Sequence, residues 1–281
     1  MRKLLTVILL LLSLRLAAQD TVPAPAVCPL TSTYGVEIGA ARNFNTYLSP
    51  IRHTGTHMGV YGQWGRAIGF DPERWFGMGS ARYGMDFCQN PQGTSSMTNI
   101  DLTGDWALYR KLRPLPGLVA AFGAGAELDA GLLYLPRNSN NPVAARVSLS
   151  LTLNAYGAYD LRIGRLPVRI IDQVSLPSLS VFFSPQYGES YYEIYLGDHS
   201  GLARCGWWGN HFAIANTLAA EFSVFSVRWR LSYRFDLRSS YVSHINTRLV
   251  SHSIGIGITT DWLNITRGHN ASARLIPMID P

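Results

Sequence analysis

The sequence predicts an all-β chain, one antiparallel transmembrane β-barrel of about twelve strands behind a cleavable signal peptide. Three observations carry this. Residues 227–237 alternate strictly: Val227, Trp229, Leu231, Tyr233, Phe235 and Leu237 fall between Arg228, Arg230, Ser232, Arg234 and Asp236. In an extended strand one face is then wholly apolar and the other almost wholly charged, the pattern of a strand between lipid and a polar lumen. The N-terminus reads as an export signal, with basic Met1-Arg2-Lys3, an apolar run from Leu4 to Leu14, and small residues Ala17-Ala18-Gln19 before Asp20. No other stretch approaches the roughly 18 apolar residues of a membrane helix, although 47% of the 281 residues are hydrophobic. A soluble secreted β-sandwich is disfavoured, because it would bury the arginine row or expose the aromatic one.

The expected organisation is a signal peptide over 1–19, a periplasmic segment over 20–32, a barrel over 33–263 and a polar tail over 264–281. Strands are expected at 33–41, 57–70, 74–87, 98–110, 117–134, 145–161, 167–174, 178–184, 190–196, 211–222, 224–238 and 248–262. Val147, Leu149, Leu151 and Leu153 oppose Ser148, Ser150, Thr152 and Asn154, and Ile254, Ile256 and Ile258 oppose Ser253, Gly255 and Gly257. Connections at 42–56, 88–97, 135–144, 197–210 and 239–247 read as long outer loops, and those near 71–73, 111–116, 162–166, 185–189 and 223 as short periplasmic turns. Ten strands follow instead if 167–184 forms one kinked hairpin or a plug.

The net charge of +6 rests on arginine, since lysine occurs only at Lys3 and Lys111. A charged fraction of 15% argues against a disordered or nucleic-acid-binding chain. Strand parity turns Glu37, Asp86, Asp101, Asp105, Glu127, Asp129, Glu193, Glu221 and Asp261 inward. It turns Arg74, Arg82, Arg146, Arg228, Arg230, Arg234 and Arg238 the same way. Charges in a narrow lumen need partners, so the favoured expectation is a self-neutralising network. The sharper alternative is an anion-selective ladder of arginines 228, 230, 234 and 238.

Enzyme chemistry has thin support. A serine–histidine pair on one strand face needs a spacing of two, and none of the seven histidines has a serine two residues later. His252, between Ser251 and Ser253, is the weak catalytic candidate. Asp198-His199 resembles half of an omptin-type protease site, but no Asp-Asp pair accompanies it. Trp207 and Trp208 read as aromatic-belt residues. Glycines of Gly77-Met78-Gly79 and Gly255-Ile256-Gly257 lie inside strands and make room for lumen neighbours. No metal-ligand spacing occurs, and no cofactor is expected. Of three cysteines, Cys88 and Cys205 fall in outer loops, where a disulfide is topologically allowed, and Cys28 is the odd thiol.

The segment Ser184-Pro185-Gln186-Tyr187-Gly188-Glu189-Ser190-Tyr191-Tyr192-Glu193-Ile194-Tyr195-Leu196-Gly197, led by residues 175–183 (SLPSLSVFF), resembles a motif of uncharacterised outer-membrane barrel proteins of Bacteroidetes. That resemblance implies an outer-membrane β-barrel and transfers no catalytic residue. The function expected is structural, binding or narrow transport in the bacterial outer membrane. The lipid bilayer is the expected partner, with an unidentified ligand or protein at the outer loops and no nucleic acid. The alternative is a lipid-directed hydrolase or acyltransferase.

Overall fold

The computed structural model describes residues 26–139, 141–186, 191–197, 201–263 and 274–279; the signal peptide and Asp198-His199 lie outside them. Its strands are β1 (Ala26–Val27), β2 (Leu30–Asn45), β3 (Ser49–Ala67), β4 (Trp75–Gln89), β5 (Ser96–Leu115), β6 (Leu118–Tyr134), β7 (Val143–Ile163), β8 (Leu166–Phe183), β9 (Ala203–Trp207), β10 (His211–Val224), β11 (Val227–Val242), β12 (Ile245–Trp262) and β13 (Arg274–Leu275), with one short helix α1 (Tyr191–Tyr195) before β9. β2 to β8 and β10 to β12 pair antiparallel in sequence order. β12 returns to β2, and β8 joins β10, which closes ten strands. The polar rows face in and the apolar rows face out: Val36, Ile38, Val60, Leu149, Leu151, Ile254 and Ile256 are exposed. A closed barrel with such a wall is a membrane-embedded barrel, because closure alone satisfies every backbone group in lipid.

Three of the twelve expected strands are corrected, which brings the wall to ten. Residues 167–174 and 178–184 form one strand, β8, carried past Pro177 by a register shift opposite Leu151 and Thr152. Of the strand expected at 190–196, Ser190 lies outside the described residues and Tyr191–Tyr195 is helical, with Gly197, at φ 112°, ending it. Several expected loops shrink because the strands run past the apolar band. The 42–56 connection becomes a turn at 46–48, where the Asn45 side chain accepts from the Tyr47 and Leu48 amides at 2.9 and 3.3 Å. The 239–247 connection becomes a two-residue hairpin turn, with Ser243 and His244 both at positive φ.

The ladder sets the barrel's geometry. Partners run Ala67–Phe76–Tyr109–Gly123–Asn154–Ser175–Ala215–Asp236–Ser251–Ala41–Gly55. One circuit therefore returns to β3 twelve residues away, from Ala67 to Gly55, and such a shear tilts strands by roughly 40°. The interior is narrow enough for side chains to meet across it.

The polar tail expected at 264–281 is apolar after Arg274 where it is described, at 274–279. Arg274 and Leu275 pair parallel with Ala26 and Val27, and the chain then turns into the barrel. Ile276, Met278 and Ile279 are buried, the last two in a cluster with Phe76, Met78, Tyr109, Tyr156 and Ile171.

Candidate functional site

The lumen is stacked in three layers. The inner end, by the β5–β6 and β7–β8 turns, is the apolar cluster just described, in which Phe76 stacks on Tyr109 at 4.8 Å. The outer end holds a second apolar cluster of Leu48, Met97, Leu133, Leu135, Ala144 and Leu249. Between them lies a belt of charge.

Arg238 is the hub of that belt. Its Nη1 lies 2.8 Å from Glu127 and 3.4 Å from Asp129, and its Nε lies 3.3 Å from Asp236. Arg146 holds the other Asp129 oxygen at 3.0 Å, and Arg234 holds Asp236 at 2.7 Å. On the opposite wall Glu37 faces Arg82 at 3.4 Å and His57 at 3.7 Å. The His57 Nδ1 meets Asp86 at 2.7 Å, and the amides of Asn43 and Asn99 each donate to Asp86 at 2.9 Å. Asp101 takes an amide bond from Asn99 at 3.1 Å and Asp105 a hydroxyl bond from Ser80. Neither has an ion pair among the described residues. Nearer the inner end Arg230 contacts Gln63 at 2.8 Å and Glu221 at 3.6 Å, and Gln63 reaches Gln173 across the tube at 2.9 Å.

Two glycines make this packing fit. A Cβ at Gly84 would sit 3.0 Å from both carboxylate oxygens of Asp101, and one at Gly131 would sit 2.6 Å from Arg146 Nη2. By contrast Gly77 and Gly79 lie beneath the outward Trp106, so these two do not serve the lumen. Within the belt lies a void of about 40 Å³, lined by Glu37, His57, Arg82, Asp101, Arg146 and Arg238. Water fits there, and a hydrated ion does not pass without breaking pairs.

Of the sequence-derived network, Glu37, Asp101, Asp105, Glu127, Asp129, Arg234 and Arg238 come together in the belt. Glu221 and Arg230 lie below it, and Arg228 pairs with Asp261 at the inner rim. Glu193 does not join: it is exposed on α1, because its segment never enters the wall. Arg74 sits in the β3–β4 turn beside Asp71, largely exposed. The ladder of four arginines is carboxylate-paired at every rung, with Arg228 on Asp261, Arg230 on Glu221, Arg234 on Asp236 and Arg238 on three acids. Asp236, which the alternation of 227–237 put on the charged face without naming it among the inward carboxylates, joins the belt; His57 is a belt member that the sequence reading passed over.

His252 faces outward, where the Tyr233 hydroxyl meets its Nδ1 at 2.6 Å and the Phe235 ring lies 5.0 Å away. Ser253 points the other way, into the lumen, and donates to Glu37. The Cys88–Cys205 bridge is not formed. All three cysteines are free thiols; Cys88 is buried on the lumen face of β4, and Cys205 is exposed on β9, with four strands between them in the sheet. Among the described residues no group of His, Cys, Asp or Glu is arranged to hold a metal ion.

At the outer mouth α1 bends over the tube. The Tyr191 hydroxyl accepts the Ala145 amide at 2.6 Å, its ring meets Tyr47 edge-on at 6.0 Å, and burial raises its phenol above the usual tyrosine range. Beneath it lies a cavity of about 50 Å³ lined by Leu133, Phe182, Phe183, Tyr191, His211 and Ile245.

Residues 4–269 match one protein family, described as "Protein of unknown function (DUF3316)". The chain belongs to the DUF3316 family. No curated protein matches this DUF3316 chain. Among solved structures it is similar to the transport unit of the autotransporter AIDA-I from Escherichia coli, at 12% identity and a TM-score of 0.41, covering 86% of this chain and 93% of that one. It is also similar to the translocator domain of autotransporter NalP from Neisseria meningitidis, at 11% identity and 0.37 over 92% and 95% of the two chains. The β-domain of the Bordetella autotransporter BrkA gives 11% and 0.37 over 83% and 99%.

Proposed function

We propose that this DUF3316 protein is a bacterial outer-membrane barrel with a permanently filled lumen, in a structural or ligand-binding role, whose contacts are made at its outer end. The observation that carries this is the layering: a charge-paired belt closed above and below by apolar clusters, the lower one completed by the chain's own residues 276–279. An open pore needs sites that are entered and left, whereas here each belt arginine is paired with a carboxylate inside the tube. Residues 1–19 act as the signal that exports it, and the stretch between the signal and β2, which begins at Leu30, lies on the periplasmic side.

The reading predicts recovery in the outer-membrane fraction with heat-modifiable migration in mild detergent. In liposomes the purified barrel gives little or no conductance. A stable single-channel current of porin size overturns the filled-lumen assignment. The hydrolase alternative stands on His252 alone, and lipid hydrolysis that disappears in His252→Ala would revive it.

A further inference from the structure

The outside of the wall carries one cationic sector. On β4 to β8 the outward rows of the outer half hold no charge; Phe87, Leu102, Leu132 and Val147 stand there exposed. On β2, β3 and β12 the outward rows change character toward the outer rim. Val36 and Ile38 give way to Arg42, Met58 to Arg52, and Ile256 and Ile254 to Arg248, and all three arginines are exposed. Register gathers them. Arg42 stands opposite Thr54 on one side and Val250 on the other, so Arg52 and Arg248, each two residues further out, are its diagonal neighbours on the same face. Such neighbours lie about 7–8 Å apart, within reach of one another's long side chains. Arg248 stands opposite Phe44, and the bulge between Asn43 and Asn45 leaves Phe44 without a partner on β3. The belt arginines inside the tube are all paired with carboxylates, whereas none of these three forms an ion pair among the described residues.

The three arginines frame an open groove of about 470 Å³ in which Phe44, Phe212, Phe235, Leu237 and Val250 supply the apolar lining. The groove runs across five adjacent strands, β3, β2, β12, β11 and β10, a width of about 19 Å at the usual strand spacing. One acyl chain covers about one strand, so a floor this broad takes several chains side by side. Its height is set along β2. Tyr34, edge-on to Trp64, belongs to the inner aromatic girdle. Eight residues of tilted strand place Arg42 about 20 Å above it, near the outer edge of an apolar band about 25 Å tall. A guanidinium at that edge binds phosphate in a bidentate fork and keeps its stem against apolar surface.

We propose that this groove seats a phosphate-bearing, multiply acylated glycolipid of the outer leaflet. Its phosphate lies among Arg42, Arg52 and Arg248, and its chains lie along Phe212, Phe235, Leu237 and Val250. The unpaired cations at the outer rim select the anionic headgroup, and the width of the floor selects several chains over one. This deepens the binding reading above by naming the ligand at the outer end, and it rests on the outer-membrane placement made there. Conductance separates the two, because the groove lies outside the wall: a porin-sized current would sink the filled lumen and leave lipid binding standing.

The test uses the full barrel in mild detergent and hexa-acylated diphosphoryl lipid A as probe, with bound lipid counted by native mass spectrometry. The expected result is a saturable one-to-one adduct. Lipid A stripped of both phosphates does not form it, two-chain phosphatidylglycerol binds at least tenfold more weakly, and inorganic phosphate at the same concentration does not displace it. Affinity falls at least tenfold in Arg42→Gln/Arg248→Gln and recovers in Arg42→Lys/Arg248→Lys, with heat-modifiable migration retained in each variant. Arg66→Gln, which removes an exposed arginine at the inner end of β3, leaves affinity unchanged. No saturable adduct, equal binding of the dephosphorylated lipid, or an affinity untouched by Arg42→Gln/Arg248→Gln overturns the proposal. An equal loss in Arg66→Gln overturns it in favour of attraction to net charge. Binding of phosphatidylglycerol as tight as that of lipid A overturns it in favour of a general anionic-lipid surface, and displacement by inorganic phosphate in favour of a plain anion site.

Discussion

The charged belt and the inner apolar layer close the same tube by different physics. In the belt, Arg238 answers Glu127, Asp129 and Asp236 together, and the removal of one member strands several others. In the inner layer Met278 and Ile279 lie against Phe76, Met78, Tyr109 and Tyr156 with no directional bond to lose. The belt is thus strongly specified and intolerant, whereas the plug is additive and forgiving. Mutations can set the two against each other.

The largest effect should come from the belt. Arg238→Ala leaves three carboxylates without their shared cation and should cost about 3–5 kcal/mol, read by denaturant titration in lipid. A loss no greater than that of a plug truncation would show that the belt is already hydrated and the contrast false. Next, Leu231→Arg puts a guanidinium on the lipid face and should cost about 2–4 kcal/mol near the midplane. Ser232→Arg, one residue on and facing the lumen, should be milder, limited by crowding against Gly255 and Tyr61. Equal costs would mean that the two faces have been confused.

In the plug, Met278→Ala should cost about 2 kcal/mol, the low end for a buried methionine, because the barrel mouth can relax around it. Deletion of residues 274–281 should leave conductance small, since the belt above still blocks the tube; a large current would give the plug the gating role. Smallest of all is Arg274→Ala. Its pair with Glu73, at 2.6 Å, is more than half exposed on both sides, and its loss should stay within about 1 kcal/mol.

The same contrast explains what the sequence disclosed. On β6 and β11 strand parity picked out the polar row, since Glu127, Asp129, Arg230, Arg234 and Arg238 are buried in the lumen or half-buried along it, whereas it misplaced Arg74 and Glu193, which lie in a turn and on α1. At the inner end Phe76, Met78, Tyr109 and Tyr156 point inward from strands whose outward residues are also apolar, so no polar row marked the inside. Ile276-Pro277-Met278-Ile279 is too short to show any period. The kink at Pro177 looked like a strand break because the missing N–H says nothing about whether a partner strand ends there. The Tyr-rich run 191–195 has the composition of a strand, and only its position past the rim makes it a helix.

The parallel pairing of Ala26 and Val27 with Arg274 and Leu275 has a consequence for biogenesis. Those last residues follow β12, the strand that seals the cylinder against β2, and they dock on the segment that leads into β2. The stopper's cluster draws on β4, β5, β6, β7, β8 and β10, so it is complete only when those strands stand in one closed wall. A chain stalled before the stopper seats would already span the bilayer with its inner mouth open to the periplasm, greasy side chains unshielded, and visible there to chaperones and proteases.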